Sequence, residues 1–322
     1  MNHILQAVSV VIPIIFVLCF GFFASRQKAF GTEGNPISNI NELVLNFALP
    51  PALFVGTITV TRSALSADFI LFIVLFTSLL VGYLVGFVIA KLLFKRSIIE
   101  ASIAGLAVSF SAGPFYGPAL LGSLYGIQSG VAVSIISLVI NVFIVPLATI
   151  MIKLHIAKES KTHSSVGALV GHSIFDAIFK TPFVWAPLLA FILVFLGLHT
   201  PVVVNNSLDL IGKATAGVAV FVAGMTIAEN KFKLSGEVLI IALLKNIGLP
   251  LLFIAVVMLF KMPSGTVLFN EGILLAALPS GPMIVLLATR YKAYQQQASS
   301  ILAVSTIGML ITVTALIMIL GL

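Results

Sequence analysis

The chain has 322 residues, 60% of them hydrophobic and only 8% charged, with a formal net charge of +7. Soluble domains are about 25% charged, so a water-soluble globule is excluded and most of the surface must face lipid. Cys19 is the only cysteine, which excludes an intrachain disulfide and a cysteine-rich metal site; it reads as a small buried apolar side chain.

The apolar residues fall in long runs such as Phe69 to Ala90, each near the roughly 20 residues that cross hydrocarbon as a helix. No run alternates polar with apolar over a strand's length, so helices are expected rather than a β-barrel. In chain order, ten helices are predicted over 4–24, 40–60, 68–93, 99–124, 127–152, 175–197, 207–228, 236–260, 268–290 and 296–320. The first follows Met1-Asn2-His3, which lacks the basic start of a signal peptide, and is read as a retained helix.

Helix 2 carries Glu42 and, one turn on, Asn46. Helix 4 contains Ser111-Ala112-Gly113-Pro114-Phe115-Tyr116-Gly117-Pro118. Residues 154–172 form a polar cytoplasmic linker between helices 5 and 6. His172 and Asp176 read as a solvated entrance to helix 6, with a proton relay as the alternative. Helix 7 places Asp209 one turn before Lys213, as an intrahelical ion pair or as a counter-charge and release partner for a carboxylate. Lys245 lies deep in helix 8, where it either snorkels to the interface or belongs to a site. Helix 9 contains Pro279-Ser280-Gly281-Pro282-Met283. Glu100 and Glu271 mark the entrances of helices 4 and 9, where a carboxylate complements the helix dipole.

Loops 1–2, 3–4, 5–6, 7–8 and 9–10 share one face and hold 13 of the 17 basic residues, against Arg62 and Lys261 opposite. The positive-inside rule puts that face in the cytoplasm and both termini outside it. The second half echoes the first at a nearly constant offset. Asn46 pairs with Lys213 and Phe54 with Phe221 at 167, Gly113-Pro114 with Gly281-Pro282 at 168, Tyr125 with Tyr294 at 169, and Glu100 with Glu271 at 171. A duplicated unit of five helices must enter the membrane from opposite sides. The chain therefore reads as an all-α membrane protein of ten transmembrane helices in two inverted five-helix repeats, 1–153 and 173–322. Inverted repeats of this kind build alternating-access carriers.

Proline removes a backbone donor and clashes with the preceding turn, so helices 4 and 9 are expected to be broken at equivalent places. Irregular backbone at membrane depth survives only when buried in protein or lining a wet cavity. The half-helices beyond each break would aim free amides and positive dipole ends at the centre, an arrangement suited to a carboxylate.

The sequence resembles the auxin efflux carriers along essentially its whole length. The resemblance rests on Asn46-Phe47-Ala48-Leu49-Pro50-Pro51-Ala52-Leu53-Phe54, Leu210-Ile211-Gly212 to Phe221-Val222-Ala223-Gly224, Lys245 to Pro250, and Leu278-Pro279 through Ala288-Thr289-Arg290-Tyr291. The malonate and malate permease branch is the most similar, around Trp185-Ala186-Pro187 and Gly217-Val218-Ala219-Val220-Phe221. It implies broken helices 4 and 9 crossing at mid-membrane with substrate at the crossing. The family commonly carries an asparagine in each crossing segment, where this chain has Ser111 or Ala112 and Met283.

The expected function is secondary transport of a small organic anion, malonate- or malate-like, across a bacterial inner membrane. Another carboxylate, auxin-like or bile-acid-like, and an anion channel are the alternatives. The substrate-binding set is Ser111, Gly113, Pro114, Phe115, Tyr116, Gly117, Pro118, Pro279, Ser280, Gly281, Pro282, Met283, Asn46 and Lys213, with Glu42, Asp209 and Lys245 as coupling or gating residues. No hydrolase, metalloprotease or nucleotide-binding motif occurs, so neither catalysis nor ATP is expected. No cofactor or metal is expected, and H+ or Na+ is the candidate coupling ion. The expected partners are the anion and the lipid bilayer, with a homodimer as a candidate assembly and no nucleic acid.

Overall fold

Lipid offers the backbone no hydrogen-bond partners, so each apolar run closes its bonds within a helix. The computed structural model describes residues 2–31, 36–59, 61–62, 68–159, 171, 175, 179–229 and 233–322. Among the described residues the chain is all helix, with no strand. Six stretches of the described residues are long and apolar enough to cross a membrane: Pro36–Ile58, Phe69–Leu92, Gly113–Lys158, Val202–Glu229, Gly236–Leu259 and Gln295–Leu320. Ile12–Arg26, Ile98–Ser109, Pro182–Phe195 and Val267–Ala277 are shorter apolar helices.

Helix α1 (Asn2–Arg26) precedes α2 (Pro36–Leu43), which runs through a π-turn, Val44–Ala48, into α3 (Leu49–Ile58). After α4 (Phe69–Leu92) come α5 (Ile98–Ser109) and α6 (Gly113–Tyr125), the two halves of predicted helix 4. A 3-10 turn leads to α7 (Gly130–Leu138), a second π-turn, Val139–Ile144, and α8 (Val145–Glu159). Then follow α9 (Pro182–Phe195), α10 (Val202–Gly212), α11 (Ala214–Glu229) and α12 (Gly236–Leu243). A third π-turn, Leu244–Gly248, joins α12 to α13 (Leu249–Leu259). The chain ends with α14 (Val267–Ala277), α15 (Met283–Arg290) and α16 (Gln295–Leu320).

The three π-turns share one cause. Each is followed directly by a residue that precedes a proline: Leu49 before Pro50, Val145 before Pro146, Leu249 before Pro250. In each case that residue's amide donates to the carbonyl five residues back, at Val44, Ile140 and Leu244. Proline has no amide to give and its ring crowds the carbonyl four residues earlier, so the helix widens by one residue instead of breaking.

Helix α1 packs on α11, and α3 on α9 and α10. Helix α4 packs on α5 and α13, and α16 on α12 and α15. Gly21 and Gly224 let α1 and α11 approach backbone to backbone: a Cβ on Gly21 would stand 1.9 Å from the Phe221 carbonyl oxygen. Close approach at small residues is how helices associate in lipid. Leu75, Leu106, Ile136 and Leu275 are fully buried inside, while Phe16, Phe20, Leu92 and Ile311 are exposed on the outside, as a lipid-facing surface requires.

Four expectations are corrected. Predicted helix 6 is interrupted at residues 180–181 and runs from Pro182 as α9, because Thr181 is extended ahead of proline, a position that disfavours helix. Predicted helix 7 starts at Val202 and is interrupted at Lys213. Cys19 is exposed rather than buried, on a helix whose outer face is apolar. Glu271 lies a full turn inside α14 and is only 7% exposed, because Thr266 rather than a later residue caps the helix. His172 and Asp176 lie outside the described residues.

Candidate functional site

Residues Phe110 to Ala112 separate α5 from α6, and residues 278–282 separate α14 from α15. The two interruptions meet as an isolated antiparallel bridge between Ser111 and Ser280. The Ala112 amide donates to the Pro279 carbonyl at 2.8 Å. The Ser111 hydroxyl donates to the Leu275 carbonyl and the Ser280 hydroxyl to the Ala107 carbonyl at 2.5 Å. Each serine thus satisfies a carbonyl in the last turn of the opposite half-helix, a group that a broken helix leaves without an amide. The Ser280 amide in turn donates to the Ser305 hydroxyl of α16. Both serines are completely buried. Gly281 has no room for a side chain: a Cβ there would stand 1.9 Å from the Phe110 ring.

Against the start of both half-helices lies a cavity of about 500 Å³. Pro114 and Phe115 at the start of α6, and Pro282 and Met283 at the start of α15, form part of its wall. Asn41, Asn141, Thr226 and Thr289 supply its polar groups, and Phe110, Phe115 and Phe183 its aromatic surface. Among the described residues its ionisable lining groups are Glu42 and Glu229, with no basic side chain. A smaller void of about 30 Å³, sharing Asn41, Phe115, Thr226, Pro282 and Leu302 with the cavity, reaches Ala112, Tyr116, Ser280 and Thr306 at the crossing. Such a polar void is large enough for a water. Ile37 and Ser38 near the start of α2, Phe183 near the start of α9, Glu229 at the end of α11 and Thr289 near the end of α15 line the cavity; all adjoin connections on the basic face.

On the other side of the crossing the helices close. A Cβ on Gly56 of α3 would stand 2.8 Å from the Gly130 Cα at the start of α7, and the Thr57 and Ser134 hydroxyls are 2.8 Å apart and fully buried.

The structure brings together part of the predicted set. Pro114, Phe115, Pro282, Met283 and Glu42 line the cavity, and Tyr116 and Ser280 the inner void. Ser111, Gly113, Gly117, Pro279 and Gly281 pack behind them, while Pro118 is half-buried further along α6. Asn46 sits in the first π-turn and is exposed, outside the cavity. Lys213 pairs with Asp209 at 2.7 Å, with 74% of its side chain exposed, and also lies outside the cavity.

Lys245 does not snorkel: it is completely buried, and its Nζ donates to the Ala276 carbonyl at 2.9 Å, near the C-terminal end of α14. A cation there opposes the negative end of the half-helix and replaces a missing amide. Asn41, Asn141, Thr226 and Glu229 escaped the sequence reading. Asn141 carried a signal, since Asn46, Asn141 and Asn246 each precede a proline by four or five residues and each sits in a π-turn.

Broken helices joined back to back at a cavity define a membrane transport protein. The family described as "Membrane transport protein" matches residues 6–317. The chain belongs to that family, the one that includes the auxin efflux carriers. It is 32% identical over 303 residues to the "Uncharacterized transporter YfdV" of Escherichia coli K12, covering 94% of this chain and 93% of that protein. The Shigella flexneri protein of the same name matches equally. It is 25% identical over 315 residues to the "Putative malonate transporter" of Rhizobium meliloti, covering 97% of this chain and 95% of that one. The protein is a multi-pass membrane transporter, and its family points to transport rather than catalysis.

Proposed function

We propose that the chain is a secondary carrier of a small organic anion, working by alternating access across a bacterial inner membrane. Ten transmembrane helices form two inverted repeats, 1–153 and 173–322, joined by the linker 154–172, and their broken helices cross at mid-membrane. The observation that carries this reading is the reciprocal pair of serine bonds, Ser111 to Leu275 and Ser280 to Ala107, at the floor of the cavity. Ser111 and Ser280 are 169 residues apart, and Ala107 and Leu275 168 apart, the offsets of the duplication.

The first amides of α6 and α15 have no helical carbonyl to bond. With the aligned dipoles they offer a carboxylate donors and positive potential. The substrate's charge is met by these backbone groups. The cavity opens toward the basic loops, so the conformation is inward-facing, and both termini lie outside the cytoplasm. Glu42 and Glu229 at its mouth are the groups placed to load a proton or sodium ion beside the anion.

Malonate or malate is the first substrate class, in line with the name of the Rhizobium relative. The aromatic lining, with no basic side chain among the described residues that form it, favours a second, a monocarboxylate with an apolar body. Uptake of labelled malonate, malate and an aromatic monocarboxylate into proteoliposomes, with and without imposed H+ or Na+ gradients, separates them. Saturable, gradient-dependent uptake of one acid is expected. Flux at channel rates, or none of the three taken up, would overturn the carrier reading.

A further inference from the structure

A second cavity, of about 370 Å³, lies on the basic face. Three segments wall it: the connection between α4 and α5, the residues that lead into α12, and the first two turns of α16. Among the described residues it shares no lining residue with the cavity at the crossing.

Its walls are tied to one another by hydrogen bonds. Arg96, from the connection between α4 and α5, donates to Glu237 of α12 with contacts of 2.6–3.1 Å and to Glu100 at 3.3 Å. The Tyr294 hydroxyl, just before α16, donates to Glu237 at 2.8 Å. Glu237 is the one carboxylate among the described lining residues, and these partners neutralise it. The Lys233 amide donates to the buried Ser300 hydroxyl of α16 at 2.9 Å, which fixes where the lysine side chain starts. Among the described residues the Lys233 ammonium forms no ion pair. Helix α16 opens on Tyr294 without a side-chain cap, so its first amides face the same region with no side-chain acceptor. The Gln296 and Gln297 side chains line the cavity beside them. An uncommitted ammonium, neutral donors and an engaged carboxylate together suit an anion.

The edge of this cavity is apolar. Phe94 is part of the wall, and Leu93, Leu234 and Leu239, each next to a lining residue, are exposed. From Leu239 the exposed apolar surface continues every fourth residue through Leu243 and Ile247 to Leu251, along α12 and α13. Lys91, Lys95 and Lys292, in the adjoining connections, are exposed as well. A soluble anion would use the ammonium but has no need of the stripe. A phospholipid uses both, its phosphate among the basic groups and its chains against the helix.

We propose that this cavity binds the headgroup phosphate of an anionic phospholipid, with Lys233 as the counter-charge and the acyl chains lying on the stripe from Leu239 to Leu251. The lipid would reinforce what Arg96 already does, joining a connection of the first half of the chain to two helix starts of the second. Its expected effect is therefore on stability. No transported substrate enters the site, so the proposal stands apart from the anion-carrier reading.

The test uses the full-length protein in a neutral detergent, stripped of co-purified lipid. It is titrated with phosphatidylglycerol, phosphatidylcholine or inorganic phosphate, and followed by thermal unfolding and native mass spectrometry. Phosphatidylglycerol is expected to raise the unfolding midpoint by about 2–4 °C and to stay bound as a discrete adduct. Phosphatidylcholine and phosphate are expected to do neither. Lys233→Ala should weaken the phosphatidylglycerol titration about fivefold, while Lys28→Ala, an exposed lysine elsewhere on the basic face, should leave it unchanged. An equal shift with phosphatidylcholine would overturn the proposal, since the charge would then be irrelevant. An equal shift with phosphate alone would replace the lipid by a soluble anion, and equal weakening by the two variants would replace the site by diffuse attraction. No shift with phosphatidylglycerol in the wild-type chain would overturn it whether or not the variants fold.

Discussion

On one side of the crossing α3 and α7 touch backbone to backbone, and on the other α2 and the π-turn after α7 face a cavity of about 500 Å³. The same two helical rods make both arrangements. Gly56, Gly130 and the Thr57–Ser134 hydroxyl pair make the closed side dry and tight. Asn41, Glu42 and Asn141 make the open side polar and wet. The change from contact to gap falls at the π-turns Val44–Ala48 and Val139–Ile144, where proline has already loosened the backbone ladder. A rod that pivots at those turns would exchange the closed and open sides without unfolding a helix.

The largest expected effect comes from the crossing, on which both sides depend. Gly281→Leu drives a side chain into the Phe110 ring and should abolish saturable uptake. Overpacking at such a site costs about 1–3 kcal/mol or more, readable as a lowered unfolding midpoint. Adding Phe110→Ala to the same chain should restore part of that stability, and no restoration would mean that the ring is not the obstacle.

Next is the closed side alone. Gly56→Leu should wedge α3 from α7 and favour the outward-open state. In a Cys19→Ser background, maleimide labelling of Ser134→Cys should then speed up at least tenfold, whereas an unchanged rate would show that the seam is not the gate.

Lys245→Met tests a buried charge common to both states. It leaves the Ala276 carbonyl unpaired and is expected to destabilise the protein by about 1–3 kcal/mol. If the variant were instead more stable, as replacement of a buried charge by an apolar side chain can be, Lys245 would be kept for transport and not for folding.

The smallest effect is expected at Lys213. Its pair with Asp209 is largely exposed, so Lys213→Ala should change stability by under about 0.5 kcal/mol and leave uptake nearly intact. Loss of uptake in this variant would return Lys213 to the role of counter-charge for the substrate.

Much of the fold was legible because the bilayer limits the choices. Long apolar runs can only be helices, and proline beside glycine at Gly113-Pro114 and Gly281-Pro282 can only interrupt them. Lys245 shows the limit of such reading. A long side chain in a span is equally compatible with snorkelling and burial, and only the position of Ala276 on a distant helix decides between them. Asp209 and Lys213 show the converse, a pair visible in the sequence because its spacing is that of one helical turn.

The sequence by itself determined the membrane class, the helical form of the apolar runs and the two breaks, since all of these follow from local chemistry and the absence of water. Tertiary structure alone decided which half-helix end each serine satisfies, which polar side chains reach the cavity and which side is closed. Those outcomes depend on contacts between residues more than a hundred positions apart, such as Ser111 with Leu275 and Ser280 with Ala107, and no local pattern encodes them.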